Sequence, residues 1–255
     1  MKSKRILGII PARLNSTRLP RKMLQDICGK PLIQWTYEQV KKAKILDALA
    51  VATDSDEIAD VILRIGGMVI RTTSKPRNGT ERVAEASRKF KEFHPDIVLN
   101  IQGDEPLMPV AAITKTAQLV AQNPDVVMST VARPFPKGVS LEEPGQVKVV
   151  LDKNNYALYF SRSKIPFDRV PFHNYFNHLG IYGYTYDFLQ KFVKLRQTPL
   201  ENAELLEQLR ALENGYCIKV GIGNYERVEV NELHELEAVR NIIKQKLKVI
   251  LRKRK

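Results

Sequence analysis

An α/β fold, built on a mostly parallel sheet flanked by helices and continued by a mixed, β-rich second half, is predicted by three features of the sequence. Short apolar runs alternate with helical patterns through the first hundred residues. That alternation implies right-handed βαβ units and a parallel sheet. The pattern changes after about residue 133, where strand-like runs follow one another across tight turns. Finally, hydrophobic residues make up 44% of 255 residues, enough to bury one large core. The chain reads as a single domain over residues 1–255, with no internal repeat.

The elements follow in order. Arg5–Ile10 reads as the first strand, and Pro31–Ala43 as a helix with Leu32, Trp35, Val40 and Ala43 near one face. Ala48–Thr53 is a strand that runs into Asp54-Ser55-Asp56, a helix cap. Ile58, Val61, Ile62 and Ile65 then recur at i, i+3, i+4 and i+7, the amphipathic helix spacing. Gly66-Gly67 stops that helix, and Met68–Arg71 resumes as a strand. Val83, Ala86 and Phe90 mark a helix, and Ile97–Ile101 a strand. Arg133–Gln146, rich in Pro and Gly, is a loop between the two halves. Val147–Leu151 and Tyr156–Phe160 flank Asp152-Lys153-Asn154-Asn155 as a hairpin, and Leu179–Tyr184 is another strand. Leu200–Gly215 reads as one helix closed by Asn214-Gly215. Cys217–Ile222 is a strand, and a terminal helix runs from Glu232 to about Leu251.

No run of about 18 apolar residues occurs, so no membrane insertion is expected. The apolar run behind the basic N-terminus, Ile6 to Ile10, is too short for a signal peptide. Two unpatterned cysteines, Cys28 and Cys217, point to free thiols in a reducing, cytoplasmic setting. The net charge is +13, and residues 244–255 hold seven basic residues and no acidic one. Such a tail reads first as a solvated helix end. The wider excess suits anionic small molecules.

Two segments carry chemistry. The first strand runs into Pro11-Ala12-Arg13-Leu14-Asn15-Ser16-Thr17-Arg18-Leu19-Pro20-Arg21-Lys22. Ligands of open α/β sheets bind beyond the carboxyl ends of the strands. There Arg13, Arg18 and Lys22 offer cationic donors, and Ser16 and Thr17 hydroxyls, to the phosphates of a nucleoside triphosphate. The spacing is neither the dinucleotide fingerprint nor the Walker A loop. On charge alone, a solvated basic loop fits equally well. The second segment is Gln102-Gly103-Asp104-Glu105-Pro106, directly after the strand at Ile97. A carboxylate there, with Gly103 allowing a sharp turn, suits Mg²⁺ bridging triphosphate oxygens. Taken alone, it equally suits a turn in which Asp104 bonds local amides.

These segments, in order, resemble the signatures of sugar-nucleotide cytidylyltransferases. Asn78-Gly79-Thr80-Glu81-Arg82 resembles a segment of the 3-deoxy-manno-octulosonate (Kdo) branch. So do Val147-Lys148-Val149-Val150-Leu151-Asp152, Phe160-Ser161-Arg162-Ser163, His178-Leu179-Gly180-Ile181-Tyr182-Gly183-Tyr184 and Leu206-Glu207-Gln208-Leu209-Arg210. The resemblance covers nearly the whole chain. It implies a Rossmann-like nucleotidyltransferase fold, and transfer of CMP from CTP to Kdo for lipopolysaccharide synthesis. Arg13, Lys22 and Arg82 would bind CTP, and Gln102 would lie where sugar and nucleotide meet. Asp104 would ligate Mg²⁺. Arg162, His178, Tyr182, Glu207 and Gln208 would line the sugar pocket, within a sugar-binding and dimerisation subregion over residues 134–215. A homodimer, and no nucleic-acid partner, are implied.

Three positions depart from the family pattern. Arg21 stands where the family has Gly, Met23 where it has Pro, and Asn231 where it has a metal-ligating Asp. An amide oxygen still ligates a hard cation, without charge. Glu229 would share a face with Asn231 in an extended strand and is the alternative ligand. Rival readings are a cytidylyltransferase for a related ulosonic acid such as an amino-Kdo, a catalytically weakened homologue, and a basic nucleic-acid-binding protein. The last lacks any helix-turn-helix, RNA-recognition or zinc-knuckle signature.

Overall fold

The first strand, β1 (Ile6–Ala12), is buried along its whole length. Leu7 and Ile9 face one core while Ile6, Ile10 and Ala12 face another. This is the alternation of a strand covered on both faces. The computed structural model describes residues 4–90, 92–226 and 228–253. Met1-Lys2-Ser3 of the basic N-terminus and Arg254-Lys255 of the basic tail lie outside the described residues.

After β1 the chain passes through a 3-10 turn (Lys22–Leu24), the short pair β2 (Asp26–Ile27) and β3 (Lys30–Pro31), and helix α1 (Leu32–Val40). β4 (Ala48–Thr53), α2 (Asp56–Arg64), β5 (Met68–Arg71), α3 (Gly79–Lys89) and β6 (Ile97–Asn100) complete the alternating part. The cap expected before α2 is present, and α3 has a cap of its own. Ser55 Oγ accepts from the Ile58 amide at 3.4 Å. Asn78 Oδ1 accepts from the Glu81 amide at 2.8 Å.

Helix α4 (Val110–Ala121) and strand β7 (Met128–Pro134) follow, then β8 (Lys148–Leu151), β9 (Ala157–Ser161), β10 (Phe176–Thr185) and helix α5 (Tyr186–Phe192). The chain closes with α6 (Pro199–Glu204), α7 (Leu209–Glu213), β11 (Ile218–Ile222) and α8 (Leu233–Lys253). The main sheet runs β11-β7-β10-β6-β1-β4-β5, with β8 attached to β10 and β9 to β8. Along that path only β10 runs against its neighbours. The switch from parallel to mixed pairing therefore falls where the sequence pattern changes. The carboxyl ends of β1 and β6 lie side by side, because Ile9 pairs with Asn100.

One helix expected over Leu200–Gly215 is two. The chain breaks at Leu205, which adopts a left-handed backbone with φ 52°. The break brings Arg210 Nε within 2.8 Å of Glu201 Oε2. On an unbroken helix those residues would stand about 13 Å apart. The buried ion pair thus explains the broken helix, and the break sets Glu207 and Gln208 on a short connecting segment.

Candidate active site

The loop after β1 and the loop after β6 meet in a 290 Å³ pocket. Arg13, Ser16, Thr17, Arg18, Lys22, Gly79 and Gln102 line it, with Pro11, Asn15 and Met23. Six of the seven residues expected at the nucleotide are therefore together. The seventh, Arg82, is 1% exposed on α3 and does not line this pocket. Its guanidinium donates to Asp54 Oδ2 at 3.2 Å, to the Thr73 carbonyl at 3.4 Å and to Thr72 Oγ1. Arg13 donates to the Pro76 carbonyl at 2.6 Å. Burial, and then the neighbouring Arg82 charge, lower the Arg13 pKa.

Asp104 and Asn231 converge on one ammonium. Lys22 Nζ lies 2.6 Å from Asp104 Oδ2 and 3.2 Å from Asn231 Oδ1. Arg18 Nη2 donates to the same Asn231 oxygen at 3.0 Å. Asn231 reaches this place because the Val230 amide donates to the Asp104 carbonyl at 2.9 Å. Val230 itself is buried against Leu236, Val239 and Ile243 of α8. Glu229, the alternative ligand, lines a separate cleft with Arg133, Gln146 and His234. The segment is not a strand, so the face-sharing expected of residues 229 and 231 does not hold.

Gly103 works by space rather than by a special backbone. Its φ is not positive, and a Cβ there would lie 3.1 Å from both Met23 Sδ and the Pro11 carbonyl. The sharp turn expected of it is thus a close approach of the two loops. Thr36 Oγ1 secures that loop by donating to the Gly103 carbonyl at 2.7 Å. At Arg21 the backbone is left-handed, with φ 51°. This is the conformation glycine adopts at little cost. The Arg21 side chain makes a paired contact to Glu57.

The expected sugar residues divide into two groups. Tyr182 and His178 lie on β10, their rings 5.5 Å apart. The Tyr182 hydroxyl donates to Gln208 Oε1 at 3.0 Å, and His178 Nε2 contacts Thr130 Oγ1 at 2.9 Å. Gln208 is 3% exposed, and its Nε2 has no protein partner. Gly180, between His178 and Tyr182, lies against Gln102, whose Cγ is 3.6 Å from where its Cβ would be. The Tyr182–Gln208 cluster therefore adjoins the nucleotide pocket. Arg162 stands apart, with its guanidinium engaged by the carbonyls of Glu204 (2.7 Å), Pro144 (2.9 Å) and Leu205 (3.3 Å). Glu207 holds Asn78 and Thr80, two residues to which the sequence reading assigned no role. Both belong to the Asn-Gly-Thr-Glu-Arg segment, in which the resemblance implies a role for the arginine alone.

Among the described residues, no group of three or more His, Cys, Asp or Glu side chains could hold a metal. Asp104 and Asn231 nevertheless form a converging pair of hard oxygens around a cation, the Lys22 ammonium. That donor chemistry fits Mg²⁺ when phosphate oxygens complete the shell. Among the described residues, no helix is long and apolar enough to cross a membrane.

Known proteins similar to this chain share its family and fold. A cytidylyltransferase family model matches residues 7–226. The 3-deoxy-manno-octulosonate cytidylyltransferase of Francisella philomiragia is 47% identical over 244 residues, covering 92% of this chain and 96% of that protein. The protein of the same name from Fusobacterium nucleatum is 45% identical, covering 94% and 98%. A solved CMP:2-keto-3-deoxy-manno-octonic acid synthetase, complexed with CTP, superposes with a TM-score of 0.90 at 35% identity. It covers 95% of this chain and 99% of that one. A 4-diphosphocytidyl-2C-methyl-D-erythritol synthase from Anaerococcus prevotii, 16% identical with a TM-score of 0.62, shares the fold alone. The mostly parallel sheet flanked by helices is thus a Rossmann-like nucleotidyltransferase fold. The chain belongs to the cytidylyltransferase family, in its 3-deoxy-manno-octulosonate branch.

Proposed function

We propose that this chain transfers CMP from CTP to the anomeric hydroxyl of Kdo and releases pyrophosphate. The carrying observation is the convergence of Arg13, Arg18 and Lys22 on one pocket, with Asp104 the carboxylate paired to Lys22. Three cations set against one paired carboxylate favour a polyanion such as a triphosphate. The sugar hydroxyl attacks the α-phosphorus in line. One P–O bond forms as the bond to the β-phosphate oxygen breaks, and pyrophosphate takes the electron pair. The hydroxyl proton passes to solvent. Arg13, Arg18 and Lys22 hold the triphosphate and offset its charge. Gln102, beside Gly180, would lie where the two substrates meet. Asp104 and Asn231 would hold Mg²⁺, which supplies Lewis-acid stabilisation of phosphate charge when bound.

The Tyr182–Gln208 cluster suits the sugar hydroxyls, and the buried, unpartnered Gln208 Nε2 is a donor awaiting an acceptor. We read residues 1–255 as one nucleotidyltransferase domain whose subregion 134–215 binds the sugar and pairs two copies. Phe167, Val170 and Leu158, 88%, 73% and 62% exposed, are the apolar surface that favours such a pair. The test is pyrophosphate release with each of four NTPs against a panel of ulosonic acids. Turnover confined to CTP and Kdo is expected. Folded protein that turns over with no ulosonic acid overturns the reading, and preference for an amino-Kdo would reassign the substrate.

A further inference from the structure

We propose that Glu207 is a positioning residue for the nucleotide pocket: from the sugar-side segment between α6 and α7, its carboxylate fixes the Asn78-Gly79-Thr80 turn that walls that pocket. Both of its oxygens are engaged by that turn. Asn78 Nδ2 donates to Oε1 at 3.1 Å, and Thr80 Oγ1 donates to Oε2 at 2.7 Å. Asn78 is also the cap of α3, its own Oδ1 taking the Glu81 amide. Thr80 Oγ1 in turn accepts from Asn100 Nδ2 at 3.1 Å. Asn100 lies two residues before Gln102, which contacts it at 3.5 Å. Gly79, between the two donors, lines the pocket and sits close against Pro11, whose Cγ is 3.3 Å from where its Cβ would be. One carboxylate thereby holds both a wall of the nucleotide pocket and the strand end that carries Gln102.

The arrangement costs free energy, which argues that the contacts are specific. Burial raises the Glu207 pKa, opposed by the Thr80 hydroxyl and by Arg210. Arg210 lies 3.6 Å from Oε1 but is itself committed to Glu201. The carboxylate is half-buried, and these donors replace the part of its hydration that it gives up. Glutamine is the revealing replacement. It keeps the shape but presents an amide donor to one of two donors, so Thr80 must turn its hydroxyl and the chain to Asn100 loses its order.

The proposal rests on the reading of the pocket as the CTP site, and the test separates the two. Calorimetry measures CTP affinity, without any sugar, for wild type, Glu207→Gln and Thr80→Val. Wild type should bind, and both variants should bind about tenfold more weakly, the loss of one hydrogen bond to a charged group. A residue that only touches sugar would raise the KM for sugar and leave sugar-free CTP affinity unchanged. That result overturns the proposal, as does a lowered melting temperature with unaltered affinity. Thr80→Val keeps the test decisive if Glu207→Gln fails to fold. Wild type that binds no CTP would overturn the pocket reading, and the proposal with it.

Discussion

Two clusters of basic residues, one at the loop after β1 and one at the end of β9, are wired differently. At the β1 loop, Arg18 and Lys22 share the Asn231 oxygen, and Lys22 alone pairs with Asp104. At the end of β9, Arg162 is held by three backbone carbonyls, and its own amide donates to Glu204 Oε2 at 2.9 Å. Lys148 beside it is wholly buried and donates to the carbonyls of Glu143 and Arg162. Burial lowers the Lys148 pKa. The first cluster retains donors for an anion. The second spends its donors on holding the 134–147 loop, β8, β9 and the α6–α7 corner together. Both contain motif residues, so a basic residue within a motif does not by itself mark a ligand contact.

The largest effect expected is at the first cluster. Asp104→Asn should remove most turnover, a loss of several kcal/mol in transition-state stabilisation, because phosphate charge is no longer offset through a metal. Asparagine still accepts from Lys22, so the circular dichroism spectrum and melting temperature should hardly change. Near-normal pyrophosphate release would reduce Asp104 to a turn residue and erase the contrast. At the second cluster, Arg162→Ala should act on stability first. Three carbonyls lose their donor, which costs about 2 kcal/mol. The melting temperature of a domain this size should fall by about 5 °C. If instead the melting temperature holds and the KM for sugar rises more than about tenfold, Arg162 turns to the substrate in the complex.

The sequence made the frame of the fold legible and left parts of its joinery hidden. Periodicity found β1, β4, α2, β5 and β6, because these bury regular apolar faces. It passed over α4, whose buried Thr116 and several alanines blur the apolar stripe. It missed the break at Leu205, which depends on an ion pair nine residues apart. The pocket was legible where one loop carries several functional side chains in a row, as from Arg13 to Lys22. It was less so where function rests on contacts between distant segments. Glu207 is 129 residues from Asn78, and no local spacing announces their bond.

The smallest effect separates Asn231 from its neighbour Glu229. Asn231 Oδ1 accepts from both Lys22 and Arg18, so its amide oxygen serves two cations without carrying charge. A metal entering this place must displace Lys22 from Asp104 with only one anionic side chain to repay its dehydration. CTP would change that balance, since its phosphates would attract Lys22 and Arg18 and offer further oxygens to the metal. Turnover should therefore need more Mg²⁺ than it would with a second carboxylate, rather than fail. Asn231→Asp should lower the half-saturating Mg²⁺ concentration by a few-fold, about 1 kcal/mol for an added partly screened charge. Glu229→Gln should leave the titration where it is, because Glu229 lines another cleft. The measurement is pyrophosphate release against Mg²⁺ at saturating CTP, with Mn²⁺ binding by paramagnetic resonance as a check independent of turnover. A Glu229→Gln variant that needs more metal, beside an unchanged Asn231→Asp, would move the ligand to Glu229.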